Sequence, residues 1–344
     1  MNVDIFNYYF HICQHMQNVL GIRLKTARKV KGLSLGDLSL AVNSCVSRQA
    51  LSKYEHGVML PSSRNLDAIA KALGVPVAFF HGESLGVDIP MLRTSSQRVL
   101  TAQEITELEV VIQYFSARFL HRMNRLDMHP AFACALKGKK IESIADISEA
   151  ADSLRNEWRC GDGPIASVLR LLERHGVWVF EYQLPECVLG LSTWVEDKYP
   201  VILLDTRKEK TTVERLRFTA AHELGHLLLD FSDGLDQEKM CNKFAGLFLF
   251  PKDTFIHEIC GMTRKELYLE ELIDLHEVYG VSVAALVHQA YDLGVIGRDH
   301  YDYWFDSVIK KNPKEQGWGN YLFPETLGRE RRMDEIMHNQ KISK

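Results

Sequence analysis

His222-Glu223-Leu224-Gly225-His226 lies between Arg217-Phe218-Thr219-Ala220-Ala221 and Leu227-Leu228-Leu229-Asp230. At about 3.6 residues per helical turn, residues four apart share one helix face, so both imidazoles can reach a single ion. Glu223, one residue past the first histidine, stands where a hydrolase needs its general base. Leu224, Leu227 and Leu228 supply an apolar body, and packing that body into a core would fix the two ligands.

A metal ion that acts on a substrate takes three protein ligands and keeps one position open, so a third His, Glu or Asp is expected downstream. The run from Asp236 to Pro251 reads as a second helix. Met240, Cys241, Phe244, Ala245, Leu247 and Phe248 form its apolar face, Glu238 lies in its first turn, and Pro251 marks its end. Glu238 is therefore the expected third ligand, with Asp230, Asp233 and Asp236 as competitors. Cys241, a lone cysteine on an apolar helix face, reads as core.

From about residue 150 to 300 the chain resembles the ImmA/IrrE family of zinc metallopeptidases. The likeness rests on the segment from Arg215 to Leu229 and on Glu238-x-x-Cys241-Asn242-x-Phe244-Ala245-x-x-Phe248-Leu249-x-Pro251. The second block matches the family's Glu-x-x-Ala-Asn-x-Phe-Ala pattern, with Cys241 in place of the usual alanine. The resemblance implies a zincin-like domain holding Zn2+ on His222, His226 and Glu238, with Glu223 as catalytic base. It also implies a small antiparallel sheet beside the metal helices and a helical C-terminal cap, and it points to a repressor or antitoxin protein as substrate.

A second module precedes this one. Residues 21–75 hold nine Lys or Arg and three acidic residues, a charge of +6 in a chain whose total is −4, which leaves −10 for everything else. Such a division suggests a polyanion-binding module on an acidic body. Inside it, Ser34-Leu35-Gly36-Asp37 reads as a capping box opening a helix that runs to about Val42. After a polar turn, Ser47 caps a second helix and Gly57 stops it. Two short helices, the second presenting Ser47, Arg48, Gln49, Ser52 and Lys53, fit a helix-turn-helix whose second helix enters the major groove of double-stranded DNA at an operator. There Arg can pair with guanine and Gln with adenine. From Arg23 through Val46-Ser47-Arg48-Gln49-Ala50-Leu51 to Leu73-Gly74-Val75 the stretch resembles the Cro/repressor-type (XRE) domain of five helices. Two features depart from that pattern: Leu35 stands where many members carry a phosphate-contacting glutamine, and Asn43-Ser44-Cys45 is longer than the usual turn.

The remaining segments are read more coarsely. Residues 1–20, rich in aromatics, are expected to pack on a neighbouring element or on a second subunit, which would make a homodimer. Residues 82–100 read as a linker, and a helix from Ala102 to about Met128, burying Ile105, Leu108, Val111, Ile112, Tyr114 and Phe115, as a spacer. Helices follow near 145–176, the second expected to start at Gly163-Pro164-Ile165. Val177–Tyr182, Leu189–Val195 and Pro200–Leu204 read as three strands. Two helices are expected over 262–295. Beyond about 305 the chain is polar and charged, and from Arg329 it is expected to be disordered. His257, His276 and His288 are candidate auxiliary groups whose ordinary role on helices is structural.

Composition limits the classes. With 46% apolar and 25% charged residues the chain is globular in type. Seven scattered cysteines without a Cys-x-x-Cys argue for reduced thiols, and no run of 18 apolar residues occurs, so a cytoplasmic location off the membrane is expected. The expected fold class is α+β and mostly helical. Its parts are an N-terminal extension (1–20), a helix-turn-helix domain (21–81), a linker and helical spacer (82–145), a metallopeptidase domain (146–300) and a polar tail (301–344). Two function classes stay open: a DNA-binding regulator with zinc endopeptidase activity, or a non-enzymatic regulator or antitoxin whose metal site is structural or sensory.

Overall fold

The computed structural model describes residues 19–81, 100–128, 131–186, 188–207, 209, 211–261 and 263–342. The N-terminal extension and the linker therefore fall almost wholly outside the described residues. The chain divides into two compact units, one comprising residues 1–130, 194–198 and 330–344, the other residues 131–193 and 199–329.

In the first unit, α1 (residues 19–30) buries Leu20, Leu24 and Ala27 along one face. The expected capping box opens α2 (Leu35–Ala41): Ser34 accepts from the Asp37 N–H while Asp37 accepts from the Ser34 N–H. Asn43 and Ser44 in the turn both have positive φ, 54° and 57°. That left-handed pair is how the lengthened turn reverses the chain. Ser47 caps α3 (Arg48–Glu55), and Ser62 caps α4 (Ser63–Leu73), which Gly74 ends at φ 76°. The fifth helix is a 3-10 segment, Val77–His81.

The expected spacer belongs to this bundle instead of standing apart. It forms α5 (Ala102–Leu126), where the Tyr114 hydroxyl donates to the Leu73 carbonyl at 3.2 Å and Gln113 accepts from Arg23 at 2.6 Å. Arg23 also donates to the Phe79 carbonyl at 2.8 Å. Ile105 lies at the margin of the packed face, which is centred on Leu108, Val111, Ile112 and Phe119.

The expected disorder from Arg329 is also corrected. That segment is α14 (Arg329–Ile342), whose Glu330 and Asp334 take Arg122 of α5 at 3.2 and 2.9 Å, and whose Met333 is buried.

In the second unit, β1 (Lys139–Ile141) pairs in parallel with β5 (Leu229–Phe231), beside α6 (Ile144–Glu157). After α7 (Val168–Arg174) comes a three-stranded sheet in the order β2-β4-β3, formed by β2 (Trp178–Glu181), β3 (Gly190–Val195) and β4 (Tyr199–Leu204). Its expected antiparallel pairing is only partly right. β3 and β4 are joined by Glu196-Asp197, both at positive φ as in a type I′ hairpin turn. β2, however, pairs with β4 in parallel, Trp178 opposite Val201 and Phe180 opposite Leu203. The continuous buried run Pro200–Leu204 is what a central strand covered on both faces requires.

The start of α7 also differs from expectation. Ser167 is its cap, while Gly163-Pro164-Ile165 is loop held by Arg155, which donates to the Gly161 and Gly163 carbonyls. Against β4 and α7 lies α8 (Val213–Leu228), and α9 (Gln237–Leu249) packs on both α8 and α6. Three further helices follow, α10 (Lys252–Glu258), α11 (Leu269–Tyr279) and α12 (Val283–Asp292), and then α13 (Arg298–Tyr303). The polar stretch after residue 311 is not loose. Glu315 accepts from the Val283 and Ala284 N–H groups at 2.8 Å, capping α12. Glu325 accepts from Val168 and Leu169 at 2.8 and 3.0 Å, capping α7. Carboxylates at helix N-termini satisfy orphan donors, so charges that read as a solvated tail are structural.

Candidate functional site

Thr212 starts α8 by accepting from the Arg215 N–H, and the helix buries Leu224, Leu227 and Leu228. At Gly225 it meets α9 closely: a Cβ there would lie 3.2 Å from both Cys241 Sγ and Phe244 Cδ1. That gap lets α9 bring its first turn under the two histidines. Cys241 fills it as core, fully buried, and burial pushes its thiol well above the ordinary range.

Three side chains converge there. His222 Nε2 lies 3.1 Å from His226 Nε2 and 3.2 Å from Glu238 Oε2, and His226 Nε2 lies 3.2 Å from Glu238 Oε1. A tetrahedral ion with ligand arms of about 2.0–2.1 Å separates its ligand atoms by roughly 3.3–3.4 Å, so these spacings and the two-imidazole, one-carboxylate donor set fit zinc. Among the described residues no other three His, Cys, Asp or Glu groups gather in this way.

The donors are oriented by their neighbours. His222 Nδ1 donates to Asn242 Oδ1 at 2.9 Å, which turns Nε2 towards the other two ligands. Hydrogen bonds from His222 and His226 hold the Glu238 carboxyl far below the usual carboxylate range. Burial alone would lower His222, but the Glu238 hydrogen bond, the charges of Glu223 and Glu238, and Asn242 together hold it above its ordinary value. Side-chain exposure rises from 13% at His222 through 24% at His226 to 48% at Glu238, so the cluster opens on the Glu238 side.

The competing candidates have other roles or lie elsewhere. Asp236 caps α9 by accepting from the Lys239 N–H at 3.1 Å. Neither Asp230 nor Asp233 joins the group. His276 Nδ1 donates to the Val281 carbonyl at 3.1 Å and its Nε2 faces Glu214 at 3.7 Å, and the His288 ring lies tilted 5.8 Å from that of Tyr301. With His257 they stand outside the converging set.

Glu223 is buried, and Ser192 Oγ of β3 donates to its Oε2 at 2.7 Å. Two residues earlier on the same strand, a Cβ at Gly190 would come within 3.1 Å of Glu223 Cγ and 2.6 Å of Thr219 Cγ2. Ser192 and Gly190 are marked by no motif, and Asn242, though it stands in the Glu-x-x-Ala-Asn pattern, carries no role assigned from the sequence. The position of Asn242 one turn beyond Glu238 was the available signal for its role, whereas Ser192 is 31 positions from its partner and carries no local signal.

In the first unit, Ser47, Arg48, Gln49 and Lys53 are exposed on α3 and Ser52 is half-buried, so the expected DNA-facing residues share an open face. Not every basic residue of the module is available to a polyanion. Arg28 is clamped on Glu55 by two hydrogen bonds of 2.6 and 2.8 Å, Arg23 is buried, and Lys31 donates to the Ala72 carbonyl. Lys25, Lys29, Arg48, Lys53, Arg64 and Lys71 remain exposed. Among the described residues no helix is long and apolar enough to cross a membrane.

Comparison with known families agrees with both halves. Residues 24–80 match the helix-turn-helix family model, and residues 172–291 match a peptidase family model described as the IrrE N-terminal-like domain. No curated protein matches the chain. The chain thus carries one segment similar to the helix-turn-helix family and another similar to the IrrE N-terminal-like peptidase family, and the second contains the whole histidine and glutamate cluster.

Proposed function

We propose that the chain is a DNA-binding transcriptional regulator with zinc-dependent endopeptidase activity, cleaving a partner repressor or antitoxin. One observation carries this reading: the 3.1–3.2 Å convergence of His222, His226 and Glu238 with Glu223 alongside on the same helix. A structural zinc site is usually closed by four protein ligands, mostly Cys and His, whereas this donor set supplies three and opens towards solvent.

In this reading His222 Nε2, His226 Nε2 and a Glu238 oxygen hold the ion. When bound, zinc supplies a Lewis acid that makes water acidic enough to act as a nucleophile near neutral pH. Glu223 takes the proton of the attacking water on its carboxylate and delivers it to the leaving amine. Asn242 keeps the His222 ring in one tautomer, and Ala220, Ala221 and Leu224, all buried, keep the helix from rotating. The DNA contacts assigned to Ser47, Arg48, Gln49, Ser52 and Lys53 would place this chemistry at an operator, where a bound partner repressor is within reach.

The test is to co-express wild type and Glu223→Gln with a candidate partner repressor or antitoxin and to follow both proteins by mass spectrometry. Glu223→Gln is expected to keep zinc and DNA binding and to lose cleavage. Identical fragments from the two proteins, or derepression without cleavage, would overturn the peptidase reading in favour of a non-enzymatic regulator.

A further inference from the structure

We infer that Ser192 is a positioning residue for Glu223, and that β3, not the metal helix alone, sets where the proposed base points; this rests on the peptidase reading above. Glu223 precedes Leu224 on a helix whose neighbouring side chains are packed, yet its own carboxylate must stay free to reach a substrate-bound water. A glutamate has three rotatable bonds, and helical packing fixes only the first of them well. The remaining freedom is removed by β3. Ser192 Oγ donates to Oε2 at 2.7 Å, with Ser192 6% and Glu223 7% exposed, so the contact is shielded from water. Gly190, on the same face of the strand as Ser192, leaves the space that Glu223 Cγ and Oε1 occupy, at 3.1 and 3.2 Å from where a Cβ would stand. One strand residue supplies the donor and the other supplies the room.

The hydroxyl leaves the second carboxylate oxygen, Oε1, for the proton transfer, since Ser192 engages Oε2. Without it the carboxylate could swing away from the reacting water, and a misplacement of about 1 Å in such a group lowers turnover roughly 100-fold. Binding of the peptide, made elsewhere, would be unaffected. Ser192 touches no ligand of the proposed ion, so metal retention would be unaffected too.

Two measurements on the full chain test this. The first uses metal-free protein and needs no activity: the melting midpoints of wild type, Ser192→Ala, Glu223→Ala and the double variant form a cycle. The expected result is that Ser192→Ala lowers the midpoint in the wild-type background and has little effect once Glu223 is gone; additive shifts would overturn the inference. The second uses fluorescein-labelled casein as probe with zinc-loaded protein. Ser192→Ala is expected to lose roughly 10- to 100-fold in kcat with KM and zinc content unchanged, and Ser192→Thr, which restores a hydroxyl, to recover most of it. Unchanged kcat in Ser192→Ala beside an inactive Glu223→Gln would overturn the positioning role. A coupled melting cycle in a wild type that cleaves neither casein nor a candidate repressor or antitoxin would leave the Ser192 contact standing and sink the peptidase reading instead.

Discussion

Arg217 and Glu325 form an ion pair of 2.6 Å in which neither side chain is exposed to solvent. Arg217 lies on α8 two turns before Glu223, also donates to the Gly280, Ile165 and Tyr279 carbonyls, and has its guanidinium 4.4 Å from the Tyr321 ring centroid. Glu325 meanwhile caps α7. All the groups around this buried charge are therefore supplied by polar partners, which is the condition for burying it at all.

Removing one partner leaves the other uncompensated. Glu325→Ala is expected to destabilise the second unit by about 3–5 kcal/mol. Urea unfolding followed by the intrinsic fluorescence of its tryptophans, Trp158 and Trp178 among them, measures this; a loss below about 1 kcal/mol would show that the segment after residue 311 is dispensable.

Metal retention separates Glu238 from Asp236. Glu238→Ala is expected to lower zinc content after dialysis, whereas Asp236→Ala, which removes only the cap of α9, should keep zinc and cost about 1 kcal/mol of stability. Elemental analysis of the dialysed proteins decides, and the reverse ranking would move the third ligand to Asp236.

On the DNA side, replacing Arg48 and Gln49 with Ala is expected to remove roughly 2–6 kcal/mol of sequence discrimination, from about 1–3 per good base contact, with peptidase chemistry intact. Arg28→Ala should behave differently: it strips Glu55 of its partner and lowers the stability of the bundle. Fluorescence anisotropy on operator and scrambled duplexes, beside thermal melts, distinguishes the two outcomes.

His175 provides a pH signature. Its ring is stacked 4.3 Å from that of Trp158, and burial, with a contribution from Arg174, lowers its pKa below the ordinary value. The folded state therefore holds the ring neutral, so its contribution to stability is full above about pH 6.5 and declines as pH falls below that, towards the folded pKa. The drop in urea midpoint between pH 7.5 and 5.5 should be smaller in His175→Phe than in wild type; an equal drop would assign the pH dependence to other groups.

How much of this was legible in the sequence follows from how local each feature is. Helices α8 and α9 could be read because His222, His226 and Glu238 lie within one turn-periodic pair and one first-turn position, and the Ser34 and Ser47 caps because a cap is a four-residue signal. The parallel pairing of β2 with β4 depends on the path between strands, which alternation along each strand does not encode. The tail was misread for a related reason. Glu315 and Glu325 look like solvated charges until the helix N-termini 32 and 157 positions earlier are in place. Pro164 offered a local signal for a helix start and Ser167 a better one, three residues on, once Arg155 had fixed the intervening loop.

The 108 positions between Arg217 and Glu325 also order events in time. A chain emerging from the ribosome at about 5–20 residues per second presents the HExxH helix several seconds before the carboxylate that closes over Arg217. Until residue 325 has emerged, that guanidinium has no counter-charge and the Val168 and Leu169 N–H groups lack their acceptor, so the helix bearing His222, Glu223 and His226 is seated without its buried ion pair. A chain cut short of residue 325 would lack this ion pair and, with it, α14, whose Glu330 and Asp334 hold Arg122 of α5.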